Sequence, residues 1–393
     1  MSDGMTARID TAQRAGLVVG VLGLLALVAG GLSQAGGAYR SYLFAFLFWS
    51  GVSVGCLSVG MINHLTGGVW GLVIRRMLEA GTRTLPVVAV LFVPIAFALP
   101  RLYPWARPEA VAADPLLQHK SLYLNPGFFL ARAVFYFALW NLMAALLSRW
   151  SLSLDAGPDR RTERRLRGLS GIGLVLLGLT ITFSSIDWAM SLDPHWFSTI
   201  YGMIFMVGQA LSALTLMIVC LAVLGGEKPL SDAVRPGAVH DLGKLLLAFV
   251  MLWAYVHLSQ FIIMWSGNLP GEIPWYIRRS QGGWLYVTLA VVVFHFALPF
   301  LLLLSRDLKR NARSLGLVAG ALFVAHVLEA LWLVGPDVAG GRGFAFHWTD
   351  LAAILGVGGV WLYGFARQLK NRAILPVGDP EIRELLGQAE AAR

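Results

Sequence analysis

The sequence predicts an all-α integral membrane protein of about ten spanning helices, and three observations carry that expectation. Charged residues make up 13% of the chain and apolar ones 57%, whereas an ordinary soluble domain is roughly 25% charged. Apolar runs recur along the whole length, each long enough to cross about 30 Å of hydrocarbon with roughly 20 residues. The segments joining them are alternately rich and poor in lysine and arginine, which is how sidedness is written into a polytopic protein.

The runs fall, in order, at 15–33, 41–62, 85–101, 127–149, 168–190, 197–224, 242–267, 282–304, 314–335 and 347–368. The first follows Arg8 and Arg14 and ends at Ser33-Gln34-Ala35, so it shares features with a secretory signal. Its length favours a helix that is kept. The third is interrupted by Pro86, Pro94 and Pro100, each of which removes a backbone donor. No run shows the apolar–polar alternation of a lipid-facing strand, which argues against a barrel. Residues 1–369 thus form one polytopic domain, and 370–393 form a short tail. In the tail, Asp379-Pro380-Glu381 supplies a cap, a first-position proline and a first-turn acid for a helix reaching Gln388.

A formal charge of +9 would suit nucleic acid, but its placement does not. With the N-terminus inside, the inner segments hold 22 Lys/Arg. The outer loops hold 7: Arg40, Arg101, Arg107, Lys120, Arg278, Arg279 and Arg342. This is the positive-inside bias, and it places both termini in the cytoplasm. The run Arg160–Arg167 reads as an anchor on anionic lipid headgroups rather than a nucleic-acid site. Cys56 and Cys220 lie singly in apolar runs, without the spacings of a zinc or iron–sulfur site. The spaced glycines at 51 and 55, and at 168, 171 and 173, read as helix-packing positions rather than nucleotide loops.

Chemistry must therefore come from ionisable residues at membrane depth, where a charge costs on the order of 3 kcal/mol to insert. These are Arg132, Asp187, His257, His295, His326 and Glu329. His326 and Glu329 are three apart and share a helix face, suited either to passing protons or to locking two helices together. Ser184 lies three residues before Asp187. On the seventh run Tyr255 and Ser259 share one face and His257 and Gln260 another, which predicts that protein surrounds this helix on both sides. His295 stands alone on an apolar run, equally readable as structural or as part of a relay. One histidine per helix argues against paired b-type haems, and the reading is of a chain with no metal of its own.

Two polar segments stand out. Ser184–Tyr201 reads S-S-I-D-W-A-M-S-L-D-P-H-W-F-S-T-I-Y, and Ser266–Arg279 reads S-G-N-L-P-G-E-I-P-W-Y-I-R-R. Extended to Ser185–Gly202 and Ser259–Arg279, and joined by H-D-L-G-K-L-L-L-A-F-V-M-L-W-A-Y at His240–Tyr255, these phrases resemble one family. It is the second NrfD-like membrane subunit of alternative complex III, a quinol:cytochrome c oxidoreductase of the bacterial inner membrane. The likeness covers the central third closely and the rest by helix count. It implies two four-helix bundles plus an extra helix pair.

The implied partners are a sister NrfD-like subunit, a periplasmic iron–sulfur subunit, multihaem and monohaem cytochrome c subunits, and a haem-copper oxidase. Haem and iron–sulfur groups would sit in those partners, with quinone the one cofactor this chain could meet. On this reading the sister subunit is the better candidate for quinol oxidation. The present chain would supply a proton pathway through Asp187, His257, His295, His326 and Glu329, with Tyr255 and Ser184 beside them. Asp187, His195 and Trp188 are candidate quinone contacts, and Asp193, Trp196, Glu272, Trp275, Arg278 and Arg279 candidate docking residues. The family pattern has two consecutive acids before I-P-W-Y, but this chain has Gly271 and then Glu272, which leaves Glu272 alone. A membrane anchor of a molybdopterin or polysulfide-type reductase is one rival reading and a secondary transporter is another.

Overall fold

The computed structural model describes residues 2–33, 35–338, 343–370 and 372–391, and no strand occurs among them. Gln34 and Arg342, which figured in the sequence reading, lie outside the described residues. Among the described residues ten helices are long and apolar enough to cross a membrane: α1 (Asp3–Leu32), α2 (Gly37–Thr66), α3 (Arg75–Phe97), α4 (Pro126–Ala156), α5 (Arg160–Leu192), α6 (Tyr201–Leu224), α7 (Pro236–Gly267), α8 (Trp284–Leu304), α9 (Ala312–Asp337) and α10 (Trp348–Lys370). Several begin or end well beyond their apolar runs, α1 by twelve residues, because a helix continues through the headgroup layer where hydropathy no longer marks it. α3 is present but broken into short segments, with Pro86, Pro94 and Pro100 each in the first turn of the next one. That is where a missing N–H costs nothing.

Neighbour relations give two four-helix bundles, α2–α5 and α6–α9, joined mainly through α2 and α6, with α1 and α10 paired alongside. α2 is the central post and is almost wholly buried. Gly51 and Gly55 face Gln209 of α6 there, and a Cβ on Gly55 would fall on the Gln209 backbone. These two glycines are packing positions, as is Gly173 against Met61, whereas Gly168 faces open space. The expectation for α7 fails: Tyr255, Leu258, Ile262, Ile263 and Trp265 are exposed, so this helix turns a broad face to lipid. On the opposite face Trp253 and His257 meet Glu329 of α9, and Gln260 bonds Ser198 and Tyr276.

Alternate loops gather at the same end, as an even number of spans requires. At the end holding both termini, Ser2 hydrogen-bonds to Lys228 O across 3.2 Å. There too Arg76 meets Glu79 and Asp155, each at 2.6 Å. The tail closes over this end through Arg75–Asp379 at 3.6 Å and Arg372–Ser148 at 2.6 Å. Its helix α11 (Pro380–Ala391) starts with Asp379 accepting from Glu381 N.

α1 holds to α10 through glycine on glycine. Built Cβ atoms at Gly20 and Gly359 would lie 2.8 and 2.3 Å from backbone nitrogen of the facing helix. Such contacts cannot be relieved by a rotamer change, and overpacking of this kind costs about 1–3 kcal/mol. Gly359→Val is therefore expected to lower the thermal unfolding midpoint of the detergent-purified protein, while Gly60→Ala, at a position facing open space, leaves it unchanged.

Candidate functional site

The structure divides the ionisable residues at membrane depth between two places. In the first bundle, Asp187 on α5 is fully buried and receives Arg132 of α4 side-on. Nε meets Oδ2 at 2.9 Å and Nη2 meets Oδ1 at 2.8 Å, and the Tyr136 hydroxyl donates to Oδ2 at 2.8 Å. Arg132 also donates to Tyr123 O and lies over the Tyr123 and Phe128 rings at 3.8 and 4.3 Å. The bidentate guanidinium fixes the orientation of the Asp187 carboxylate. Ser184 donates instead to Ile181 O. Trp188 is packed among Phe46, Phe92, Phe137 and Trp140. None of these three is therefore placed for exchange with the other ionisable residues.

The second place is in the other bundle, where α7, α8 and α9 bring His257, His295, His326 and Glu329 together. Glu329 is fully buried. Its Oε2 lies 2.6 Å from His326 Nδ1 and 3.2 Å from His295 Nε2, its Oε1 lies 3.1 Å from His257 Nε2, and Trp253 Nε1 donates to Oε1 at 2.8 Å. The two histidine nitrogens at Oε2 are 3.3 Å apart. Trp253 also packs at a tilt against the His257 and His295 rings, with centroids 4.1 and 4.2 Å apart. Tyr255 points the other way, 67% exposed, and takes no part.

Local backbone sets this geometry. α8 widens into a π-helical turn over Val292–Ala297, which contains His295. Pro299 follows in the next segment, so the His295 carbonyl has no N–H donor four residues on. The widened turn carries His295 inward from an otherwise lipid-facing helix. α7 ends with Asn268 in the left-handed region, at φ 49° and ψ 37°, and α8 begins after Gly282 and Gly283 at φ 56° and 89°. Those three residues allow the tight connections that put α7 against α8.

Counting donors sharpens the chemistry. His257 Nδ1 lies 3.1 Å from Trp253 O, which can only accept, so Nδ1 carries the proton and a neutral ring offers a bare lone pair at Nε2. That nitrogen lies 3.1 Å from Glu329 Oε1 without the alignment of a hydrogen bond. Beside the cluster lies a cavity of ≈ 30 Å³, lined by Phe48, Gly51, Gly208, Gln209, His326 and Glu329, which is room for a water or two.

The other candidates lie at the end opposite the termini. Asp193, on the α5–α6 turn, pairs with Arg278, which also meets Asp337 at 3.2 Å. Arg279 meets Asp337 at 2.7 Å, donates to Leu333 O and stacks on Trp275 at 3.4 Å. Trp196 stacks on Trp275 with centroids 4.8 Å apart. Burial pushes the neighbouring Tyr276 phenol up to about 12, so it stays protonated. His195 is mostly exposed and sits 2.9 Å from Asp114. Glu272 is half-buried and makes no ion pair among the described residues. Asp193, Trp196, Trp275, Arg278 and Arg279 thus build a closely paired corner at the end opposite the termini.

Sequence reasoning missed Trp253, Asp337 and Glu79. Trp253 was visible only as an aromatic in an apolar run, and Asp337 as the last acid before a loop. Glu79 had the one usable signal, a buried position three residues after Arg76. No protein-family model matches the chain, and no curated protein is detectably similar to it.

Breaking a buried pair by removing one partner costs about 3–5 kcal/mol, whereas replacing both with apolar groups is often neutral. Arg132→Met is therefore expected to destabilise the protein strongly, and Arg132→Met with Asp187→Leu to recover most of the loss, as read from thermal midpoints in detergent.

Proposed function

We propose that this chain is a membrane subunit of a quinol:acceptor oxidoreductase of the alternative complex III type, and that its second bundle carries protons through the Glu329 cluster. One observation carries the proton role. Among the buried carboxylates of the described residues, Glu79 meets Arg76, Asp187 meets Arg132 and Asp350 meets Arg40, while Glu329 meets only histidines and a tryptophan. Arginine stays charged at any working pH. Histidine can take up or give up the same proton, so Glu329 can change its protonation state where the other three are pinned.

The order of groups supports a direction. Glu329 sits eight residues before Asp337 on α9, about 12 Å along the axis at 1.5 Å per residue, so the cluster lies in the half of the bilayer nearer the outer corner. The cavity holding Gln209 lies beside His326. Water there would connect the cluster to Ser212 and Thr215, which follow on α6 toward the end holding the termini. With the positive-inside bias, that end is cytoplasmic and the Asp193–Arg278–Asp337 corner faces the periplasm of a bacterial inner membrane. The outer corner suits docking of the iron–sulfur and multihaem c partners. Quinol oxidation itself is assigned to the sister subunit, since Asp187 and Trp188 are buried in side-chain packing and His195 lies at the surface.

In the intact complex reconstituted in vesicles, Glu329→Gln and His326→Ala are expected to lower the number of protons translocated per electron while quinol oxidation continues. A ratio unchanged in both variants would sink the proton role. The complex assignment is tested by affinity purification from the native membrane, where multihaem c and iron–sulfur subunits are expected and a molybdenum subunit would contradict it.

A further inference from the structure

We propose that α8 and α9 form a binding site for one borderline divalent metal ion, Zn²⁺ being the type case, ligated by His295 Nε2, His326 Nδ1 and Glu329 Oε2. The three donor atoms form a triangle with edges of 3.3, 3.2 and 2.6 Å. A single point can lie 2.0–2.1 Å from all three corners, which is the Zn–N and Zn–O distance. The donors come from two helices and are all buried. One of the supporting backbones is the π-helical turn around His295, so the geometry is held by packing rather than by flexible loops.

The donor set selects the class of cation. Two imidazoles and a carboxylate match zinc, copper or nickel rather than the all-oxygen sites of magnesium or calcium. A haem is excluded by the same distances, because ring nitrogens gathered on one carboxylate leave no room for a porphyrin. A cavity of ≈ 30 Å³ adjoins His326 and Glu329, room for a metal-bound water.

The inference stands on donor geometry and is independent of the quinol reading, so its test uses metal content rather than turnover. The full-length protein, purified in detergent and stripped with chelator, is dialysed against Zn²⁺ and assayed for bound metal, then loaded with Co²⁺ for visible absorption. Expected are one tightly held equivalent and the intense bands of four-coordinate Co²⁺ with nitrogen and oxygen ligands. His295→Asn and Glu329→Gln are expected to weaken binding at least about tenfold, with the surface variant His195→Asn unchanged. Wild-type protein that binds no stoichiometric metal, or binding that survives His295→Asn, would overturn the site. The Co²⁺ spectrum needs no variant, so a misfolded mutant does not decide the matter.

Discussion

A carboxylate buried in a membrane bundle must find its counter-charge inside the protein, and most of the architecture described above answers that requirement. Removing an ion from water costs several kcal/mol even after relaxation, and only close, well-shaped pairing offsets it. Asp187 binds α5 to α4, Asp337 binds α9 to the loop before α8, and Glu79 binds α3 to the tail through Arg372, whose guanidinium lies 3.8 Å away. Each pair is both an electrostatic solution and a clamp between elements. The bundles are therefore stitched at fixed points by arginine, and lipid-facing surfaces are left to apolar side chains.

Against that pattern the second bundle is an exception with a consequence. Glu329 is neutralised by groups whose own charge can change, so its surroundings supply neither a permanent cation nor an escape to water. Trp253 completes the shell by donating one hydrogen bond and covering two rings. The same features that let a proton be shared make a compact set of nitrogen and oxygen donors. Proton handling and metal affinity are then two readings of one local economy of lone pairs, and they are separable because one is measured by charge movement and the other by bound ion.

Much of the fold was legible in the sequence because the bilayer imposes a length on every span. Ten runs gave ten helices, and even the broken third was foreshadowed by its prolines. What could not be read was which faces meet. His257 and Glu329 are 72 positions apart, and nothing in their spacing says that α7 and α9 present them to each other. His295 owes its inward position to a widened turn that hydropathy does not register. The polar residues of α7 suggested a helix enclosed by protein, but a single polar stripe is enough when its partners lie on one side. Asp187 looked like a proton carrier because it was an acid in a span; Arg132, in the run before it, had already claimed it.

The glycine seam between α1 and α10 bears on how the molecule is made. Gly20 and Gly359 are 339 positions apart, and at roughly 5–20 residues per second of synthesis the second emerges about twenty seconds to a minute after the first. During that interval the first helix sits in the membrane with its close-approach face uncovered, touching only what α2 and the loop around Glu227 provide. α10 closes this face, so a ribosome that stops before it leaves a membrane protein whose first helix has no backbone to rest on.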